Sequence, residues 1–149
     1  MGYNGIVAVL STRTEIHKDV LRRLADSRLA ELDALRGGTP PYYAAALYLG
    51  GYALEALLKC AICQALNLDE LPVLFHVHDL DVLLFFPGRH NELQRDAPVW
   101  DSFSKIQTSW SEKRRYTDPP TASRAECEDL NQCLNDPACG VVPWLKARL

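Results

Sequence analysis

The segment from Pro41 to Leu66 constrains the fold more than any other part of the chain. It reads PYYAAALYLGGYALEALLKCAICQAL, and as a helix it is apolar around almost its whole circumference. Such a helix is buried on most sides, in a protein core or in a bilayer. Its uncharged stretch, Tyr42 to Leu54, has 13 residues, and Glu55 and Lys59 follow it. A membrane span needs roughly 20 apolar residues. We therefore expect a central core helix and no membrane contact.

The rest of the 149-residue chain is also predicted to be helical. Leu and Ala greatly outnumber Val, Ile and Thr, which favours helices over strands. Periodicity and helix-end signals predict four more helices. The first runs from Thr14 to Leu35, begins with a capping box of Thr12 and Glu15 and ends at Gly37-Gly38; the next two run from Asp79 to Phe86 and from Asn91 to Trp110, the latter broken or kinked at Pro98. The last starts at Ala122 after the cap Thr121, is interrupted at Asp136-Pro137 and Gly140, and resumes from Val141 to Leu149. We predict one all-α domain over residues 1–149, an up-and-down bundle of four to five helices that needs no strand.

Charge and cysteine content narrow the classes of function. The net charge of −3 excludes a basic surface over the whole protein, so any nucleic-acid contact must use a local patch. No export signal is recognised near the N-terminus, and we expect free thiols in the cytoplasm. Cys60 and Cys63 form a CxxC inside the apolar helix, where core packing is the better interpretation. We expect neither a metal site nor a cofactor in this protein, and we expect its five cysteines to be free: Cys60, Cys63, Cys127, Cys133 and Cys139.

Glu55 and Lys59 are the charged residues of the central segment. Their four-residue spacing places them on one helix face in the order that favours an ion pair. Tyr48 and Tyr52 continue the same stripe at helical spacing. Because buried charge is costly without partners, the pair is expected to meet further polar groups. Either it is a structural ion pair, or it forms a polar pocket that binds an anionic ligand.

Gly50 and Gly51 lie in the middle of the same predicted helix. Each costs about 1 kcal/mol in helix propensity, which the close approach of another helix would offset. The glycine face and the tyrosine stripe together are more apolar than a lone bundle of this size requires. We therefore expect a homodimer formed through helices.

Two other segments supply candidate binding residues. His78 and Asp79 open the short third helix, where Asp79 either caps the helix or contributes with His78 to a site. His76 and His78 lack a third partner for a metal ion. The loop of residues 111–120 is polar and basic, and its arginines offer a planar fork for phosphate while its tyrosine offers a stacking face. Its candidate residues are Lys113, Arg114, Arg115 and Tyr116.

The order of these segments resembles the HEPN domain family (higher eukaryotes and prokaryotes nucleotide-binding). The resemblance covers roughly residues 20 to 134 and lies in YYAAALYLGGYALEALLKCAI, then HDLDVLL, then RRY before a last helix. It implies a helical bundle that often dimerises. Members of the family are metal-independent ribonucleases of toxin–antitoxin and defence systems, or non-catalytic nucleotide-binding partners of nucleotidyltransferases.

The ribonucleases of that family carry an Arg followed after four to six residues by a His. No arginine in this chain fits: Arg13 and His17 have three residues between them, and Arg89 adjoins His90. The resemblance therefore favours a non-catalytic module that binds a nucleotide or RNA, with a nucleotidyltransferase or toxin–antitoxin partner. One alternative is a ribonuclease with a relocated site at His78 and Arg115. Another is a protein-interaction domain whose polar residues are structural. Arg115 and Tyr116, with His78, are the partners that we expect for the Glu55–Lys59 pair.

Overall fold

The computed structural model describes residues 13–149 of the chain. Within that range the protein is an all-α bundle, as predicted, with a two-stranded sheet at one edge. The α-helices are α1 (Lys18–Gly37), α2 (Tyr43–Ala65), α3 (Leu80–Phe85), α4 (His90–Arg95), α5 (Ala97–Ser109), α6 (Arg124–Asn135) and α7 (Val141–Lys146), and the strands are β1 (Arg13–His17) and β2 (Glu70–Pro72). Three 3₁₀ turns complete the described elements: Val73–Phe75, Glu112–Tyr116 and Pro119–Thr121.

Helix α2 lies at the centre of the core, as its composition predicts. The short connection between α1 and α2 turns the chain back, so α1 packs along α2, and α3, α6 and α7 also contact α2. By length and hydropathy α2 is long enough to cross a membrane, but 83% of its most apolar stretch is buried inside the protein. The prediction of a central core helix is therefore confirmed.

The start of α1 differs from the prediction. Residues 13–17 form β1, which pairs antiparallel with β2, with Arg13 opposite Pro72 and His17 opposite Glu70. The predictions of a helix from Thr14 and of a fold without strands are wrong, because the backbone groups of this segment bond to β2 instead. Thr12, half of the expected capping box, lies outside the described residues. His17 caps α1 instead, since its Nδ1 accepts the N–H of Asp19 at 3.2 Å.

Other helix boundaries show which capping signals the fold uses. The predicted helix from Asn91 to Trp110 is two helices separated at Asp96, and Pro98 lies in the first turn of α5. Helix α6 starts at Arg124 rather than Ala122, because Ser123 and Glu126 cap each other's backbone N–H groups. The predicted cap Thr121 instead ends a 3₁₀ turn. The predicted cap Asp79 is confirmed for α3.

Both central glycines permit close packing within this chain. A Cβ at Gly50 would lie 3.0 Å from Cδ2 of Leu130 on α6, and one at Gly51 would overlap the ring of Trp110. The expected close approach is made by side chains rather than by another helix backbone. The homodimer stays a prediction, but the glycine face is covered by this chain's own residues.

The CxxC thiols are packed in the core, as predicted. Cys60 and Cys63 are both buried and free. Burial raises the pKa of the Cys63 thiol to about 11. A thiol with so high a pKa is protonated at neutral pH and is a poor nucleophile.

Candidate functional site

Three polar side chains meet at the inner face of α2. Lys59 Nζ donates to Glu55 Oε1 at 2.7 Å, and His78 Nδ1 lies 3.0 Å from Oε1 and 3.1 Å from Oε2 of the same carboxylate. The Glu55 side chain is 2% exposed and that of Lys59 is 9% exposed, whereas that of His78 is 48% exposed. A carboxylate only accepts hydrogen bonds, so His78 Nδ1 must carry the hydrogen, and Nε2 of the neutral ring has a free lone pair.

The local fold places each of these groups. Glu55 and Lys59 are one helical turn apart on α2, within a stretch whose other residues are apolar and buried. His78 precedes the cap of α3. The carboxylate of Asp79 accepts the N–H groups of Asp81 and Val82 at 3.0 and 3.2 Å, which fixes the start of that helix. Asp79 therefore positions His78 by capping.

These side chains line a cavity of about 300 Å³, hereafter the polar cavity. Tyr52 and His76 also lie in its wall. Burial, and then the nearby carboxylate of Glu55, raise the pKa of the Tyr52 hydroxyl, which therefore stays protonated as a hydrogen-bond donor. The polar cavity is lined by Ile16, Leu21, Leu24, Tyr52, Glu55, Ala56, Lys59, Leu71, His76 and His78.

A row of aromatic rings extends from this cavity along α2. The rings of Tyr52 and Tyr48 are stacked with centroids 6.0 Å apart, and Trp110 stacks on Tyr48 at 6.5 Å. The indole N–H of Trp110 donates to the carbonyl oxygen of Tyr48 at 3.1 Å. Both tyrosines are half-buried, so the row is partly open to solvent.

The basic turn, Glu112–Tyr116, follows Trp110 in the chain. Arg114 anchors it, because this side chain donates to the carbonyl of Ser109 at 3.0 Å and pairs with Glu126 at 3.3 Å. Lys113 and Arg115 are exposed and form no ion pair with any residue in the described range. The Arg115 guanidinium lies 5.0 Å from the ring centroid of Tyr116, which is 77% exposed.

The expected cluster is thus divided between two places. His78 meets the Glu55–Lys59 pair, as expected. The expectation that Arg115 and Tyr116 also meet it is wrong: neither lines the polar cavity, and they contact each other at the surface. The 3₁₀ turn places Arg115 and Tyr116 outward, whereas Arg114 faces α6.

Sequence reasoning missed Arg28 of α1 as a neighbour of this site. Its positive charge favours the ionised form of Tyr52, opposing the other effects on that pKa, and its side chain pairs with Glu31. One signal was present. Arg28 falls at helical spacing among the buried residues of α1, which are Leu21, Ala25 and Leu32. A charged side chain in a row of buried residues needs polar partners, so this position of Arg28 indicates that it lies near a polar site.

Comparison with known proteins gives one partial match. No protein-family model matches the chain, and no solved structure matches it. Adenylosuccinate synthetase from Methanothrix thermoacetophila is 30% identical over 90 residues, which make up 60% of this chain and 21% of that protein. The chain therefore spans about a fifth of the length of this relative. A match over so small a part of the relative does not show that this chain has the relative's activity.

Proposed function

We propose that the chain is a HEPN-like module that binds a nucleotide or a nucleic acid. The observation that carries this proposal is the ammonium group of Lys59 in the wall of the polar cavity. It has three N–H donors and makes one hydrogen bond within the described residues, to Glu55. An anion such as a phosphate would accept from the remaining donors in a poorly hydrated place, where charge-assisted hydrogen bonds are strong.

The aromatic row extends the proposed binding surface. Tyr48 and Lys59 are eleven residues apart on α2, a rise of about 16 Å. Trp110 connects the upper end of this stripe to the basic turn. Single-stranded nucleic acids bind to such surfaces by stacking bases on aromatic rings, while Lys and Arg contact the phosphates. A short RNA strand reaching from the polar cavity to the basic turn is the ligand that suits this arrangement.

Partners are proposed on the same basis. The resemblance to the HEPN family supports a homodimer and a nucleotidyltransferase or toxin–antitoxin partner. Since the glycine face is covered, exposed apolar side chains of α3 and the residue after it supply a different surface for assembly: Val82, Phe85 and Phe86. Light scattering tests the homodimer, and a monomer mass at tens of micromolar protein would contradict it.

The binding test uses fluorescein-labelled single-stranded oligouridylates of increasing length, with AMP and UMP as competitors. Affinity is expected to rise with length until the strand spans the stripe. The double variant Arg115→Ala/Tyr116→Ala should lower the affinity for the long oligonucleotide about tenfold and leave the affinity for the mononucleotide competitors unchanged. His78→Gln should lower the affinity for both classes of ligand. If wild-type protein binds neither class of ligand, the proposal fails and the polar residues are structural parts of a protein-interaction domain.

A ribonuclease is the second candidate function, and the bond between His78 and Glu55 favours it. A carboxylate that holds one imidazole nitrogen leaves the other as a positioned base. Nε2 of His78 would take the proton of a ribose 2′-hydroxyl as that oxygen attacks phosphorus. The bond to the 5′-oxygen then breaks, and the leaving oxygen takes a proton. His76, in the same cavity wall, supplies that proton better than Arg115, which lies elsewhere.

RNA cleavage separates the two candidates. A ribonuclease yields 2′,3′-cyclic phosphate ends, and it leaves 2′-deoxy oligonucleotides intact. His78→Gln should then lower the rate at least about a hundredfold, since general acid–base catalysis contributes that much or more. RNA that is bound but stays intact supports the non-catalytic module.

A further inference from the structure

A second cavity, separate from the polar cavity, lies between α5 and α6. Its volume is about 610 Å³, which is within the range of small-molecule sites, and it shares no lining residue with the polar cavity. We call it the α5–α6 cavity. It is lined by Leu47, Pro98, Asp101, Ser102, Lys105, Ile106, Thr108, Ser109, Trp110, Arg114, Glu126, Asp129, Leu130, Gln132, Cys133 and Cys139.

The deepest part of the α5–α6 cavity is mainly apolar. Leu47, Ile106, Trp110 and Leu130 are all buried there. Such a floor suits the hydrocarbon or aromatic body of a ligand, because apolar surface is stabilised when it is removed from water. Ser102 is the polar exception, with 5% of its surface exposed.

One carboxylate of the cavity wall takes part in neither of its two ion pairs. Lys105 pairs with Asp101 at 2.7 Å, and Arg114 pairs with Glu126 at 3.3 Å. Asp129 on α6 is close enough to Lys105 to raise the pKa of that ammonium group, but it forms no ion pair or hydrogen bond with the described residues. The wall as a whole carries three acidic and two basic side chains, so its net charge is −1.

We propose that the α5–α6 cavity binds a small organic cation with an apolar body and one protonated amine. The body lies against Leu47, Ile106 and Leu130, and the ammonium group donates to Asp129. The neighbouring cations do not repel the ligand strongly, because each is already neutralised by its own carboxylate. The net negative charge of the wall disfavours an anion. The cavity therefore serves a different ligand class from the polar cavity.

The test compares three probes of the same shape: tryptamine, its neutral analogue tryptophol, and indole-3-propionate. Calorimetry on the full chain is expected to show tryptamine binding at least tenfold more tightly than tryptophol, and indole-3-propionate binding weakest. In Asp129→Asn the preference for tryptamine over tryptophol should fall to within about threefold. Asp129 is exposed, so this variant is expected to fold. Asp118→Asn, an exposed carboxylate outside the cavity, is the matched control and should keep the full preference.

The location of binding is tested with Cys139, which lies half-buried in the cavity wall. Bound tryptamine should slow its alkylation by iodoacetamide, measured by mass spectrometry, and should not do so in Asp129→Asn at the same concentration. Equal affinities for tryptamine and tryptophol would overturn the proposal. So would absence of binding, or tryptamine binding that leaves the Cys139 alkylation rate unchanged.

Discussion

The polar cavity and the basic turn carry similar side-chain chemistry in opposite surroundings. Lys59 is almost completely buried and paired with Glu55, whereas Lys113 and Arg115 are exposed and unpaired within the described residues. The apolar neighbours of Lys59 in α2 force its burial, so its partners have to come from the protein. In the turn, by contrast, the side chains of Lys113 and Arg115 are exposed, and their charges stay in water. Charge in the polar cavity therefore contributes to stability as well as to the proposed binding, whereas the charges of Lys113 and Arg115 are available to a ligand without a role in stability.

The largest expected effect comes from separating the buried pair. Lys59→Ala leaves the Glu55 carboxylate buried with His78 alone and should lower the free energy of unfolding by roughly 3 kcal/mol or more. Glu55→Leu/Lys59→Met removes both charges and should cost much less. Denaturant unfolding measures both. The matched control is Lys105→Ala on α5, which breaks an exposed pair of the same spacing and should leave the midpoint unchanged. Equal, small losses for the single and double variants would show that the buried pair is solvated.

Gly51 connects the two regions, because Trp110 packs against it and the basic turn follows Trp110. A Cβ in Gly51→Ala would displace the indole ring and its hydrogen bond to Tyr48. Overpacking of this kind costs about 2 kcal/mol, and the loss should appear as a lower thermal midpoint. Gly37→Ala is the control. Beyond its own helical turn and chain neighbours, nothing lies within 4 Å of its added Cβ, so the variant should be neutral or stabilise α1 by up to about 1 kcal/mol. Equal behaviour of both variants would contradict the close packing at Gly51.

The sequence was sufficient for the features that local patterns determine. Uninterrupted apolar periodicity placed α2 in the core, and helical spacing paired Glu55 with Lys59. Proline and capping signals also predicted a break near Pro98 and the cap at Asp79. Each of these features depends on residues within a few positions of one another in the chain.

Features that depend on distant parts of the chain could not be predicted. The strand before α1 exists because residues 70–72 lie beside it, and no local signal marks that pairing. The separation of Arg115 from the Glu55 cluster depends on which face of a 3₁₀ turn points inward. The ion pair between Arg114 and Glu126 fixes that orientation. The resemblance to the HEPN family predicted the order of the segments along the chain but not the distances between their side chains in the fold.

The anchor of the basic turn gives a smaller, pH-dependent effect. The backbone N–H of Ser123, then its hydroxyl and Arg114, hold the pKa of Glu126 below its usual value of 4.5. A lowered folded-state pKa stabilises the fold above pH 4.5, and this stabilisation is lost as the pH falls through the folded-state value. Glu126→Gln should therefore flatten the fall of the melting temperature that accompanies acidification below pH 4.5. An unchanged acid slope in this variant would contradict the role of Glu126. The effect should be modest because the side chain is 41% exposed.

The smallest effect on stability is expected at the basic turn itself. Lys113→Ala and Arg115→Ala remove exposed charges without ion-pair partners in the described range, so neither should shift the unfolding midpoint measurably. Each should instead weaken the binding of single-stranded RNA and lower the slope of log affinity against log salt by about 0.7 for each phosphate that the variant no longer neutralises. Arg95→Ala, an exposed arginine on α4, is the matched control for loss of one positive charge and should leave that slope unchanged. If Arg95→Ala lowers the slope as much as Arg115→Ala does, the affinity for RNA depends on the net charge of the protein, and the basic turn is not a binding surface.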